Sequence, residues 1–195
     1  VGAADGAPNS KNAMFEDAQA RTAKQAEGAT EWSDPREAGL IPDVYIAMGQ
    51  TAENVVLHTG ISREDQDRWG VRSQNRAEEA IKSGFFEREI VPVTLPDGTV
   101  VTTDDGPRAG TTYEKISQLK PVFRPNGTIT AGNACPLNDG AAAVVIMSDT
   151  RAKELGLTPL ARVVSTGVSG LSPEIIGLGP LEAIKKALGD ATMSL

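Results

Sequence analysis

The spacing of apolar residues changes along this chain from helical to alternating to continuous, and each change marks an element. Over 43–60, Val44, Met48, Ala52, Val55 and Val56 recur at helical spacing, and Gly60 ends the pattern. Residues 62–83 predict a longer helix with Trp69, Ser73, Ala77, Ala80 and Ile81 as its buried stripe. Arg63, Asp67, Arg76 and Glu79 fall on its solvent side, Ser62 with Asp65 supplies a capping box, and Gly84 sits at the stop. Residues 89–95 then alternate, Pro96-Asp97-Gly98 turns, and 99–103 returns, which predicts a hairpin. Residues 104–126 are irregular, with a short helical piece near 113–119.

The second half has a different texture. A continuous apolar run over 141–147 predicts a strand at 140–147 buried on both faces. Gly132, Asn133, Asn138, Asp139 and Gly140 precede it, and the polar ones are expected to hold turns through side-chain to backbone bonds. Ser148 caps a short helix stopped by Gly156, and 160–166 reads as a second strand. Gly179-Pro180 opens a last helix with a stripe of Leu181, Ile184 and Leu188. Residues 1–42 are poor in aromatic and branched aliphatic residues, with turn signals at Pro8, Pro35 and Pro42. Within them 13–27 reads either as a helix with Phe15, Ala18 and Ala23 on one face, or as a mobile surface segment. The closing strand–helix–strand–helix order is an α/β layer begun but not completed. Two buried strands do not make a covered sheet, which normally has about five, so partner strands are expected in missing sequence or another chain.

Composition narrows the function classes. The chain has 195 residues, 39% hydrophobic and 23% charged, as a soluble globular protein does. No apolar run approaches the roughly 20 residues needed to cross a membrane, and no basic-then-apolar leader is read. A net charge of −7 argues against nucleic-acid binding, which needs a basic face. The single cysteine, Cys135, cannot form an internal disulfide, which fits a reducing, cytoplasmic setting. The single histidine, His58, excludes a His-rich metal site; no metal ligand and no permanently bound cofactor are expected.

Several segments together carry a family resemblance. MGQTAENV (48–55), SREDQDRWGVRSQNRAEEAIKSGFFEREIVPV (62–93), LKPVFRPNGTITAGNACPLNDGAAAVVIMS (119–148), GLTPLARVVSTGVSG (156–170) and GLGPLEAIKKAL (177–188) resemble successive motifs of a thiolase, in order and spacing. The resemblance covers roughly 43–195 and is not clear over 1–42. It implies an α/β, thiolase-like fold comprising the family's loop domain plus incomplete portions of its two α/β halves. A variable segment at 1–42 would precede the loop domain at 43–137, a return strand and helix of the first half at 138–159, and the start of the second half at 160–195. It further implies an acyl-CoA C-acyltransferase that cleaves 3-ketoacyl-CoA with CoA or condenses acyl-CoA, with the degradative direction favoured. Acyl-CoA and CoA would be its substrates, in a homodimer or homotetramer.

The resemblance also assigns individual residues. Arg108 matches an arginine near the adenosine-phosphate end of CoA, where a guanidinium pairs or stacks. Lys115 stands where some members have serine near the adenine, and a cation there would suit phosphate. Val122 and Phe123 match apolar residues on the pantetheine and adenine, although Phe123 reads equally as a core anchor. Ala131 is a small residue beside the thioester arm. Met48, with Gly49, matches the loop at the acyl end, and Ile176 a residue lining the catalytic pocket; plain packing is the alternative for both. Cys135 stands where the family has serine and reads as lining rather than as nucleophile, because no base is close in sequence. No catalytic residue is assigned: the family's nucleophilic cysteine lies upstream, and its Asn-Glu-Ala-Phe, Gly-His-Pro and second-cysteine motifs lie downstream of Leu195. The chain alone is therefore expected to be inactive. The competing readings are a CoA-binding or oligomerisation module without chemistry, and a thiolase-like lipid-transfer relative.

Overall fold

A computed structural model describes residues 13–28 and 31–195. The turn expected at Pro8 lies outside them. The first helix, α1 (Ala13–Gly28), buries Ala18 and sets Phe15 edge-on against Tyr45 at 5.3 Å, so the helical reading of this segment holds. After a short turn at Pro35–Ala38 come α2 (Met48–Thr59) and α3 (Arg63–Lys82). Both stop where glycine was expected to stop them: Gly60 has φ +71° and Gly84 φ +72°, a conformation that L side chains adopt reluctantly. The Ser62 cap at the start of α3 forms, with Ser62 Oγ accepting from the Asp65 N–H at 3.0 Å; Asp65 Oδ2 accepts from the Ser62 hydroxyl at 2.6 Å and not from its N–H, so the box is only half made.

The faces of these two helices differ from expectation. Trp69 is 67% exposed, with Arg72 stacked on its ring, and Ile81 is also exposed. Asp67, assigned to solvent, is fully buried and accepts from Arg63 Nε at 2.8 Å and Asn133 Nδ2 at 3.0 Å. Val44, which precedes α2, and Met48, its first residue, are exposed, whereas Thr51, Glu53 and Asn54 on α2 are buried. The reason is what lies opposite. Both helices pack on irregular backbone, whose N–H and C=O groups require polar partners rather than an apolar stripe.

Two such backbone segments matter. The turn at 128–134 lies between α2 and α3. Glu53 accepts the Thr128 N–H at 2.9 Å and the Ile129 N–H at 2.9 Å, and Asn133 accepts the Thr130 N–H at 2.8 Å and donates to the Thr128 carbonyl at 2.9 Å. The expected turn role of Asn133 is therefore met, while Asn138 and Asp139 are exposed and make no hydrogen bond among the described residues. The second segment is the turn at Pro173–Leu178, against which α2 packs. Asn54 Nδ2 donates to the Glu174 carbonyl at 3.0 Å, and the Glu174 carboxylate accepts from Trp32 Nε1 and the Asp43 N–H, each at 2.8 Å.

The hairpin is present but short, β1 (Val93–Thr94) against β2 (Val100–Val101), with Val93 opposite Val101. A one-turn helix, α4 (Tyr113–Ile116), follows. The strand expected at 140–147 does not form: Val145 is 85% exposed and Val144 and Ile146 are similarly open. Nor does the one at 160–166. A strand exists only through a ladder with a neighbour, and neither run has one among the described residues. The caps around them are as expected. Ser148 Oγ accepts the Arg151 N–H at 3.2 Å to start α5 (Asp149–Glu154), and α6 (Gly179–Asp190) begins at Gly179-Pro180. On α6 the stripe of Leu181 and Ile184 stays exposed, and residues 165–168 run along the helix, where Ser165 Oγ donates to the Ala187 carbonyl at 2.6 Å.

Two outcomes test this packing. A Cβ on Gly70 would collide with the Gly132 carbonyl oxygen, a backbone atom that cannot swing aside. Gly70→Ala should therefore destabilise the protein by about 1–3 kcal/mol, read as a lower urea midpoint. With strand-like apolar runs left open, the 195-residue chain by itself should self-associate. A cooperative thermal transition of a clean monomer would contradict that.

Candidate ligand site

The sequence-assigned residues fall into two groups. The first gathers at the start of α2. Ala47 is the extended N-cap, Met48 is the exposed first residue, and Gly49 lies under the ring of Phe123, which a Cβ at Gly49 would strike. Gln50 fixes this contact from both ends of its amide. Its Nε2 donates to the Phe123 carbonyl at 2.8 Å, and its Oε1 accepts from Arg124 Nε at 2.8 Å. Arg124, buried, also donates from Nη2 to Asn54 Oδ1 at 2.7 Å. Burial lowers the pKa of Arg124, and the Glu53 charge opposes that effect. An arginine nonetheless stays protonated, so a buried cation is held by neutral acceptors with a carboxylate nearby.

Val122, beside Phe123, is exposed, and its N–H donates to the Ile129 carbonyl at 2.9 Å. Ala131 is exposed in the turn that Thr130 and Asn133 hold, and Cys135 lies exposed just beyond it. Ile176 is partly exposed in the turn that packs on α2. The structure thus brings Met48, Gly49 and Phe123 together, and ties the segments of Val122, Ala131 and Ile176 to α2.

The second group is cationic. The loop around Arg108 lies along the outer side of α3. The Arg108 N–H donates to Gln74 Oε1 at 2.8 Å, and the Gly110 N–H donates to Glu78 Oε2 at 2.9 Å. Thr111 Oγ1 donates to the Arg108 carbonyl at 2.6 Å, and Lys115 Nζ to the Gly110 carbonyl at 2.9 Å. The Arg108 guanidinium is exposed and makes no hydrogen bond or ion pair among the described residues. Hydrogen bonding from Lys82, and then from the Gly110 N–H, lowers the pKa of Glu78.

Sequence reasoning missed Gln50, Glu53, Asn54 and Arg124 beneath the first group, and Gln74 and Glu78 beneath the second. The signal was available: Gln50 with Glu53 and Asn54, and Gln74 with Glu78, are polar pairs at three- and four-residue spacing on one helix face. Such pairs usually face water, so nothing local marks these as anchors for a loop.

The sequence profile described as thiolase, N-terminal domain, matches residues 11–150. An acetyl-CoA acetyltransferase of Cupriavidus necator is 52% identical over 155 residues, covering 76% of this chain and 39% of the relative. The crystal structure of the Bacillus anthracis acetyl-CoA acetyltransferase superposes with a TM-score of 0.70 at 49% identity, over 77% of this chain and 39% of that one. Human mitochondrial 3-ketoacyl-CoA thiolase in complex with CoA superposes with a TM-score of 0.69 at 40% identity, over 80% and 40%. The chain belongs to the thiolase family, and its fold is thiolase-like. The profile match begins at residue 11, so it reaches into the 1–42 stretch where the resemblance was not clear. The chain spans about 39% of the length of the relatives it matches.

The Glu78 contact makes the Arg108 loop sensitive to acid. A carboxylate whose folded pKa is depressed contributes stability that is fully present above its unfolded pKa and is lost as pH falls through the folded value. Loop attachment should be complete above the ordinary glutamate pKa of about 4.3 and be lost as pH falls below that range. The Gly110 amide resonance, followed by NMR, should titrate below the ordinary glutamate range, and Glu78→Gln should abolish the titration.

Proposed function

We propose that this chain is the CoA-binding portion of an acyl-CoA C-acyltransferase, a thiolase that cleaves 3-ketoacyl-CoA with CoA or condenses two acyl-CoA molecules. The observation that carries the reading is the pairing of two kinds of surface. An apolar corner of Met48, Gly49 and Phe123 suits a thioester arm, and a tethered loop offers Arg108 and Lys115 to phosphate. Coenzyme A has that chemistry, a long amphipathic arm ending in a phosphorylated nucleoside. Val122, Ala131, Cys135 and Ile176 complete the proposed contacts along the arm and the pocket. Thiolases named for acetyl-CoA and for 3-ketoacyl-CoA among the relatives support the same reading.

The chemical step is assigned to sequence outside this chain. Claisen chemistry needs a thiolate, a base and donors for the developing oxyanion. His58 sits edge-on to Trp32 at 5.9 Å, and Cys135 shares no hydrogen bond with it among the described residues. The apolar residues at 144–146 and on α6 are assigned to contacts within the parent or with a second copy, which fits a homodimer or homotetramer.

The parent protein, with the sequence flanking this chain, should degrade acetoacetyl-CoA when CoA is added. Arg108→Ala should raise the KM for CoA about tenfold or more, the effect of losing a charge-assisted contact to phosphate. A parent that binds CoA but performs no thiolysis would sink the enzyme reading in favour of a binding module.

A further inference from the structure

We infer that Gln74 and Glu78 are positioning residues that hold Arg108 ready for the phosphates of CoA. The inference rests on the reading that Arg108 meets the nucleoside-phosphate end of that substrate. The loop carrying Arg108 has no helix or strand of its own, and most of it is exposed. Left free, such a loop would have to be ordered each time a ligand bound, at a cost in affinity. It is instead held from two directions. Gln74 Oε1 and Glu78 Oε2, one turn apart on α3, accept the N–H groups of Arg108 and Gly110. Thr111 Oγ1 and Lys115 Nζ meet the carbonyls of the same two residues.

The helix that supplies these anchors is itself fixed. Gly70 rests on the Gly132 carbonyl, and Arg68, on the same helix, lies 4.7 Å from the centre of the Tyr113 ring at the start of α4. The charges are arranged to leave Arg108 available. The Glu78 carboxylate is engaged by Lys82 and by the Gly110 N–H, and Gln74 is neutral, so the anchors grip the backbone without pairing the guanidinium. Lys115 Nζ bonds the Gly110 carbonyl, which places a second basic side chain on the loop that carries Arg108.

The test compares two thiols in the parent enzyme: CoA, and pantetheine, which has the reactive arm without the nucleotide. Glu78→Ala should raise the KM for CoA roughly three- to tenfold, the scale of one lost hydrogen bond and its ordering. The KM for pantetheine should move less than twofold. Glu78→Gln keeps an acceptor for the Gly110 N–H and should restore most of the loss. Gln74→Ala should act in the same direction as Glu78→Ala and serves if that variant folds poorly. Combined with Arg108→Ala, Glu78→Ala should add nothing further, because the group being positioned is gone. Equal losses for both thiols, or additivity with Arg108→Ala, would overturn the inference and mark α3 as purely structural. An Arg108→Ala variant with unchanged KM for CoA would overturn the CoA reading of Arg108 and this inference together. An effect of Arg108→Ala with none from Glu78→Ala or Gln74→Ala overturns this inference alone.

Discussion

Everything described in this chain depends on satisfying irregular backbone from the side chains of two helices. Glu53 and Arg124 are the clearest case. Each is a buried charge, and a buried charge is tolerated only when its hydrogen-bonding capacity is met. Glu53 meets it with the N–H groups of Thr128 and Ile129; Arg124 meets it in part, through Nε and Nη2 on Gln50 and Asn54, and its Nη1 stays without a partner among the described residues. They form no direct ion pair with one another among the described residues, and their partners lie on different segments. The pair therefore fixes the 123–130 stretch against α2 along its length. Asn54 extends the same network to Glu174, and through it to Trp32 and Asp43. The fully buried side chains of largest size here are Asn54, Thr130, Asp67 and Ser172, all polar. Hydrogen-bond geometry thus sets the fold where an apolar core is thin, and it is more directional than apolar packing.

The same directionality places the residues of the candidate site. Phe123 stays over Gly49 because both ends of the Gln50 amide are taken, one by the Phe123 carbonyl and one by Arg124. The Arg108 loop stays on α3 because its N–H groups have side-chain acceptors at fixed helical spacing. In both places a residue is held through its backbone: Phe123 is half-buried over Gly49, and the Arg108 side chain stays exposed. An apolar surface grips less selectively, and would not distinguish one register of an irregular loop from another.

How much of this was legible in the sequence depended on how local each cause was. Stops at Gly60 and Gly84, the cap at Ser62, the hairpin turn at Pro96-Asp97-Gly98 and the starts of α5 and α6 follow from a few adjacent residues. They appeared where expected. Motif spacing carried the family, and the profile match extended it to residue 11. The expected apolar stripe is exposed, in whole or in part, on α2, α3 and α6. Trp69 and Asp67 exchanged places, because the periodicity rule assumes an apolar neighbour and α3 has a polar one. The apolar runs at 140–147 and 160–166 were read correctly as apolar, yet strand formation needs a partner ladder that local sequence cannot supply.

The sequence by itself determined the helix caps and stops, the family and the residue types on offer, since caps, turns and motifs are short-range. Only the tertiary structure decided that Glu53, Asn54, Arg124, Gln74 and Glu78 are the residues on which the site stands. Their roles come from partners tens of residues away, Thr128 for Glu53, Gly110 for Glu78, Glu174 for Asn54. A polar residue on a helix face means solvent or structure according to what the chain brings opposite it, and that is settled by folding alone.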